Sequence, residues 1–232
     1  MSYKILLFDA DQTLLDFKAA ENNALRRTFS EHGIEPTDEL IESFSKTNSM
    51  LWGMFEKGEI TKPEIIASRF KITAEKFGFG YSPDMGFEQD YQNLLADEHT
   101  LMPDAGSVSK RLSKKYEMYI ITNGLFITQE KRLGECGLLP YYKGYFVSEK
   151  IGAQKPSAEY FNRVLDKIGN PPKDEILIIG DSLSSDILGG MNSGLDTCWF
   201  NPSGAPAPDA ITPTYTIGAL PELYEILGIG EI

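Results

Sequence analysis

The chain has 232 residues, 41% hydrophobic and 24% charged, which suits one large globular domain or a domain carrying an insert. Its 34 acidic and 22 basic residues leave a net charge of −12, which argues against a nucleic-acid polymer as partner, because phosphate backbones are gripped by clustered Lys and Arg. A small phosphate ester needs only a few local positive charges and stays open.

The first predicted strand is the apolar run Ile5-Leu6-Leu7-Phe8. A lysine followed by so short a run is not a signal-peptide layout, and no stretch approaches the length of a membrane span. The expectation is a cytoplasmic protein with no membrane attachment, a monomer or weak dimer. The next predicted strand, Met118-Tyr119-Ile120-Ile121, comes roughly a hundred residues later, far more than one crossover helix needs. The stretch between reads as several helices, among them residues 19–31, 38–57 and 62–77. A helical cap over residues 17–97 is therefore expected as an insert after the first strand. Residues 1–16 and 98–232 would form the core, with hinges near Asp16-Phe17 and residues 97–103.

Three further strands are predicted at Tyr145-Phe146-Val147, Ile176-Leu177-Ile178-Ile179 and Thr197-Cys198-Trp199-Phe200. Near-continuous apolar runs of this length suit strands buried on both faces of a parallel sheet. After Pro156, the residues Phe161, Val164, Leu165 and Ile168 follow helical spacing, and Gly169 can end that helix. Strand and helix in alternation imply an α/β fold, a doubly wound parallel sheet. The proline-rich segment 201–213 is expected to be a surface loop. Cys136 and Cys198 have no metal-ligand spacing and form no disulfide framework, and Cys198 is expected to be a buried thiol.

Four polar signals sit just after predicted strands, where ligands bind in an open parallel sheet. In Asp9-Ala10-Asp11-Gln12-Thr13 two carboxylates leave a buried strand together. They can turn to one opening and share a hard cation; one can attack phosphorus while the other handles the leaving-group proton. On its own the pair reads equally well as a strand-ending turn. Thr122-Asn123-Gly124 offers a hydroxyl and a backbone amide to a phosphate oxygen, though alone it reads as an Asn-Gly turn. Lys155 precedes a helix N-terminus, which makes an anion site from side chain, amides and dipole together. Asp181 and Asp186 follow the fourth strand, and gathering them near Asp9 would be repulsive without a divalent cation.

In this order the four signals resemble the motifs of the haloacid dehalogenase superfamily, over the whole chain, and the insert after the first strand resembles that superfamily's helical-cap class. The resemblance implies a Rossmann-like core and a Mg²⁺-dependent phosphomonoester hydrolase. Asp9 would be the nucleophile that forms an aspartyl phosphate, and Asp11 the acid and base. Thr122 would hold a phosphate oxygen, with Asn123 beside it, and Lys155 would neutralise charge on nucleophile and phosphate. Mg²⁺ would be held by Asp9, the backbone carbonyl of Asp11, Asp181 and Asp186. The superfamily's dehalogenases attack carbon and need neither the second aspartate nor the metal site, so Asp11, Asp181 and Asp186 favour phosphate chemistry. Mutase and non-catalytic binding-module readings are weaker still.

Asn48-Ser49-Met50-Leu51-Trp52, Gly58-Glu59-Ile60-Thr61 and Ser148-Glu149-Lys150-Ile151-Gly152 further resemble the YjjG/YfnB-like nucleoside 5′-monophosphatases, which favour pyrimidine nucleotides. The implied partner is a small phosphorylated metabolite, a nucleoside monophosphate; a sugar phosphate or phosphoglycolate is the alternative. Asn48 and Trp52 are four residues apart, hence on one helix face, where an amide and an indole could bind and stack on a base. Trp52 could equally be core of the cap.

Overall fold

The structure is a computed structural model and describes residues 3–79 and 82–230. The chain divides into two compact units, Met1–Asp16 with His99–Ile232, and Phe17–Glu98.

The first unit is built on β1 (Ile5–Asp9), β2 (Glu117–Thr122), β3 (Gly144–Val147), β4 (Ile176–Gly180), β5 (Asp196–Phe200) and β6 (Tyr215–Ile217). They form one parallel sheet in the order β3-β2-β1-β4-β5-β6. Its central strands alternate between two cores. Leu6 and Phe8 of β1 and Leu177 and Ile179 of β4 face one apolar cluster, while Ile5, Leu7, Ile176 and Ile178 face the other. This is why the runs read as continuously apolar: both faces are dry. The first cluster includes Val108 and Leu112, Leu133, and Leu223. These come from α5 (Ala105–Leu112), α6 (Phe126–Glu135) and α10 (Leu223–Ile226), numbering the helices in chain order. The second cluster takes Ile151 from α7 (Ser148–Ile151) and Tyr160, Phe161, Val164 and Leu165 from α8 (Ala158–Lys167). Helix α8 starts behind Ser157, whose side chain accepts from the Glu159 amide. A π-helical turn, Leu183–Ile187, leads into α9 (Leu188–Asn192).

This topology decides where a ligand can sit. From β1 the chain builds β2 and β3 to one side and β4 to β6 to the other, so the order reverses between β1 and β4. Crevices form at such switch points, outside the carboxyl ends of the strands. Phe8 lies level with Ile120 and Ile179, so Asp9, Thr122 and the Gly180-Asp181 step leave the same edge of the sheet.

The second unit comprises α1 (Phe17–Glu31), α2 (Asp38–Glu56), α3 (Lys62–Phe77) and α4 (Met85–Ala96). Thr37 and Asp84 cap α2 and α4 through their side chains, a Thr61–Glu64 capping box starts α3, and left-handed Gly78 ends it. Its core joins Phe29 of α1, Phe44 of α2, Phe70 of α3 and Phe87 and Tyr91 of α4. A smaller cluster of Leu51, Phe55 and Ile65 has Trp52 packed against it. Among the described residues no helix is long and apolar enough to cross a membrane. Cys198 is buried, as its apolar run predicts, and burial pushes its thiol up to about 12.

Candidate active site

Asp9 ends β1 at 7% exposure, with Lys155 at 1% and Asp186 fully buried beside it. The Lys155 ammonium donates to Asp9 Oδ1 and Asp186 Oδ1, both at 2.6 Å. Burial alone would lower the lysine's pKa; Asp186 and Asp9 reverse that and hold it protonated. Burial also raises Asp9 well above the carboxylate range; Lys155 opposes the shift, while Asp186, Asp181 and Asp11 add to it. Burial, then the Asp186 carboxylate, push Asp181 up to about 7. One lysine is too little positive charge for this set of acids.

Asp9, Asp181 and Asp186 each offer a carboxylate oxygen, all within 4.8 Å of one another. An all-oxygen donor set with excess negative charge fits a hard divalent cation such as Mg²⁺. The loop after β4 fixes the Asp186 carboxylate at this cluster. Asp186 Oδ2 accepts from the Ser182 amide at 3.2 Å, and the Ser182 hydroxyl accepts from the Ser185 amide. A Cβ on Gly180 would lie 2.3 Å from Asp186 Oδ2, so only glycine lets that carboxylate reach the strand end. Trp199 of β5 donates its indole N–H to the Asp181 carbonyl at 2.9 Å, which pins the turn after β4. From the sequence Trp199 belongs to an apolar strand run and carries no assigned role at this turn.

Asp11 is placed differently from the sequence expectation of two carboxylates sharing one cation. Its carboxylate lies outside that cluster: Oδ1 accepts from Arg132 Nη1 at 2.5 Å and Oδ2 from Gln129 Nε2 at 2.7 Å. What remains for a cation is its backbone carbonyl. Gln129 and Arg132 are one turn apart on α6 and both 1% exposed. Neither is a candidate from sequence, because most residues of α6 are polar. The available signal was their i, i+3, i+4 spacing with Leu133, which is in the core.

Thr122 ends β2, buried. Its oxygen accepts from the Gly124 amide at 3.0 Å and from Gln129 Nε2 at 2.8 Å. With both lone pairs engaged, the hydroxyl proton is left to donate. Asn123 uses its side-chain amide on Lys155, donating to that residue's carbonyl at 2.9 Å and accepting from its N–H at 3.0 Å. The side chain therefore aligns the lysine, and only its backbone amide remains for a phosphate oxygen.

In the helical unit, Asn48 and Trp52 share α2 but not an environment. Asn48 is 2% exposed, donates to Glu21 at 2.7 Å and accepts from Arg69 at 3.0 Å. Arg69 also grips Glu88 with two donors, Nε at 2.9 Å and Nη2. The amide of Asn48 is committed to this buried network, which the expectation of base contact did not foresee. Trp52 is partly exposed; it meets the Phe55 ring edge-on at 5.5 Å, and Lys62 lies 6.0 Å from its ring centre.

The family model of haloacid dehalogenase-like hydrolases matches residues 3–194. The chain belongs to that family. Within this hydrolase family it is 43% identical over 227 residues to the HAD-hydrolase YfnB of Bacillus subtilis, covering 98% of this chain and 96% of YfnB. A crystal structure of YfnB bound to magnesium superposes with a TM-score of 0.94, over 99% of this chain and 100% of that one. The pyrimidine 5′-nucleotidase PynA of Streptococcus pneumoniae is 36% identical, covering 98% of this chain and 96% of PynA. The pyrimidine 5′-nucleotidase YjjG of Escherichia coli is 34% identical, over 98% of this chain and 99% of YjjG.

Proposed function

We propose that this hydrolase is a Mg²⁺-dependent nucleoside 5′-monophosphatase favouring pyrimidine nucleotides, working through an aspartyl phosphate on Asp9. The observation that carries the chemistry is the cluster of Asp9, Asp181 and Asp186 around the buried Lys155. Attack on carbon would not need such a set; attack on a dianionic ester does, because nucleophile and substrate repel each other until positive charge is supplied. Asp9, Asp181, Asp186 and the Asp11 carbonyl would hold the metal, which supplies that charge when bound.

Asp9 attacks phosphorus and the ester oxygen leaves. Asp11 gives that oxygen a proton, then takes one from the water that attacks the aspartyl phosphate. The Thr122 hydroxyl and the Asn123 backbone amide bind phosphoryl oxygens, while Lys155 spreads its charge over Asp9 and the transferring group. The substrate class rests on near full-length similarity to PynA and YjjG, both pyrimidine 5′-nucleotidases. Trp52 remains the candidate for stacking on the base. We read its workplace as the cytoplasm, where such a nucleotide pool is found.

The test is released phosphate from a panel of nucleoside 5′-monophosphates and sugar phosphates, with Mg²⁺ and with excess chelator. The reading expects pyrimidine monophosphates to lead the panel and activity to vanish in chelator. Full activity in chelator, or a sugar phosphate well ahead of every nucleotide, would count against it.

A further inference from the structure

We propose that Gln129 and Arg132 are positioning residues that aim the carboxylate of Asp11 at the ester oxygen. The proposal rests on the reading of Asp11 as the proton-handling group. Arg132 holds one oxygen of Asp11 at 2.5 Å and Gln129 holds the other at 2.7 Å. A carboxylate fixed at both oxygens by two separate side chains has its plane fixed as well as its position. The two donors are themselves tied together, Arg132 Nη1 donating to Gln129 Oε1 at 3.2 Å. The same Gln129 nitrogen reaches Thr122 Oγ1 at 2.8 Å. One amide group thus sets the proton donor and a phosphate-holding hydroxyl in a common frame.

Two further observations separate this from ordinary packing. Arg and Gln are costly to bury, yet both are 1% exposed on the α6 face that also carries the core residue Leu133. Gly124 makes room for the arrangement: a Cβ there would lie 2.7 Å from Gln129 Cγ. The backbone after β2 and the side chain on α6 are fitted to each other at the point where Gln129 turns toward Asp11.

The experiment compares kcat/KM for a pyrimidine nucleoside 5′-monophosphate and for 4-nitrophenyl phosphate. The alkoxide leaving from the nucleotide needs a proton; nitrophenolate leaves without one. Since kcat/KM covers the steps up to ester cleavage, it isolates the acid role. The variants are Arg132→Met, Arg132→Lys, Gln129→Leu and, as reference, Asp11→Asn, each with a melting curve. A misaimed group costs about 100-fold, so Arg132→Met should lose about that on the nucleotide and less than about fivefold on the aryl ester. Gln129→Leu also frees Thr122, so it should lose activity on both substrates, with the larger loss on the nucleotide, and Arg132→Lys should recover part of the Arg132→Met loss. If Arg132→Met does not fold, Arg132→Lys carries the comparison, with a smaller loss confined to the nucleotide. Equal losses on both substrates in the Arg132 variants, with Asp11→Asn selective, would overturn the positioning role alone. If Asp11→Asn is itself not selective, the reading of Asp11 fails, and the proposal with it.

Discussion

Asp181→Asn probes whether the acid cluster exists to hold a cation. Burial, with Asp186, raises Asp181 from the ordinary 3.8 to about 7. A carboxyl whose pKa is raised on folding binds more protons folded than unfolded. Metal-free stability therefore falls as pH climbs from the unfolded value to the folded one. At 1.36 kcal/mol per pKa unit, the ionised form costs the fold about 4 kcal/mol by pH 8. Asp181 is partly open to water, and screening trims this to about 2 kcal/mol. Asparagine carries no charge, so in chelator Asp181→Asn should be about 2 kcal/mol more stable than wild type at pH 8, an upward Tm shift of about 4–8 °C. The advantage should shrink below about 1 kcal/mol at pH 5, where the wild-type side chain is largely protonated. Excess Mg²⁺ should reverse the order at pH 8, since the wild type gains binding energy that the variant largely loses. Melting curves at both pH values, with and without Mg²⁺, measure all of this. A variant less stable than wild type in chelator at pH 8, or one keeping the full Mg²⁺ shift, would show that Asp181 is not held for a cation.

Lys155→Met strips the buried cation from Asp9 and Asp186, so metal-free stability should fall by about 3–5 kcal/mol and turnover should disappear; a denaturant-melt change under about 1 kcal/mol would contradict it. Arg69→Met leaves Glu88 buried without its bidentate partner and should cost a similar 3–5 kcal/mol, read as early unfolding by circular dichroism. Trp52→Ala should reduce kcat/KM for a pyrimidine monophosphate by about ten- to a hundredfold, with little change for an aryl phosphate, if the indole stacks on the base. Equal losses on both, with a lowered Tm, would instead assign Trp52 to the packing around Leu51, Phe55 and Ile65.

What could be read from the sequence depended on where each residue's information lies. Asp9, Thr122, Asp181 and Asp186 follow apolar runs directly, and topology alone brings the ends of β1, β2 and β4 to one edge. The strands themselves were legible because both of their faces are buried. Strand β6 was not: Tyr215–Ile217 is short and only Ile217 is buried, so no apolar run marks it. Helix α4 begins Met-Gly-Phe-Glu, without a regular stripe, and depends on Asp84 for its start. Gln129, Arg132 and Trp199 escaped for a different reason. Each acts through a contact made far along the chain, 118 residues for Gln129 to Asp11, and local pattern carries no trace of such a pairing. Asn48 shows the converse: it lies in a helix as read, but a buried Glu21–Arg69–Glu88 network engages its amide.

The proposed phosphatase mechanism requires Asp9 to carry the phosphoryl group during turnover. Mixing enzyme, Mg²⁺ and a pyrimidine nucleoside 5′-monophosphate, quenching in acid within milliseconds and mapping peptides by mass spectrometry reads it directly. Phosphate should appear on the peptide containing Asp9, be lost on treatment with hydroxylamine, and be absent in Asp9→Asn, which should fold normally and turn nothing over. Nucleotide hydrolysis at full rate with no acid-stable phosphate at Asp9, or with the label on another residue, would contradict it.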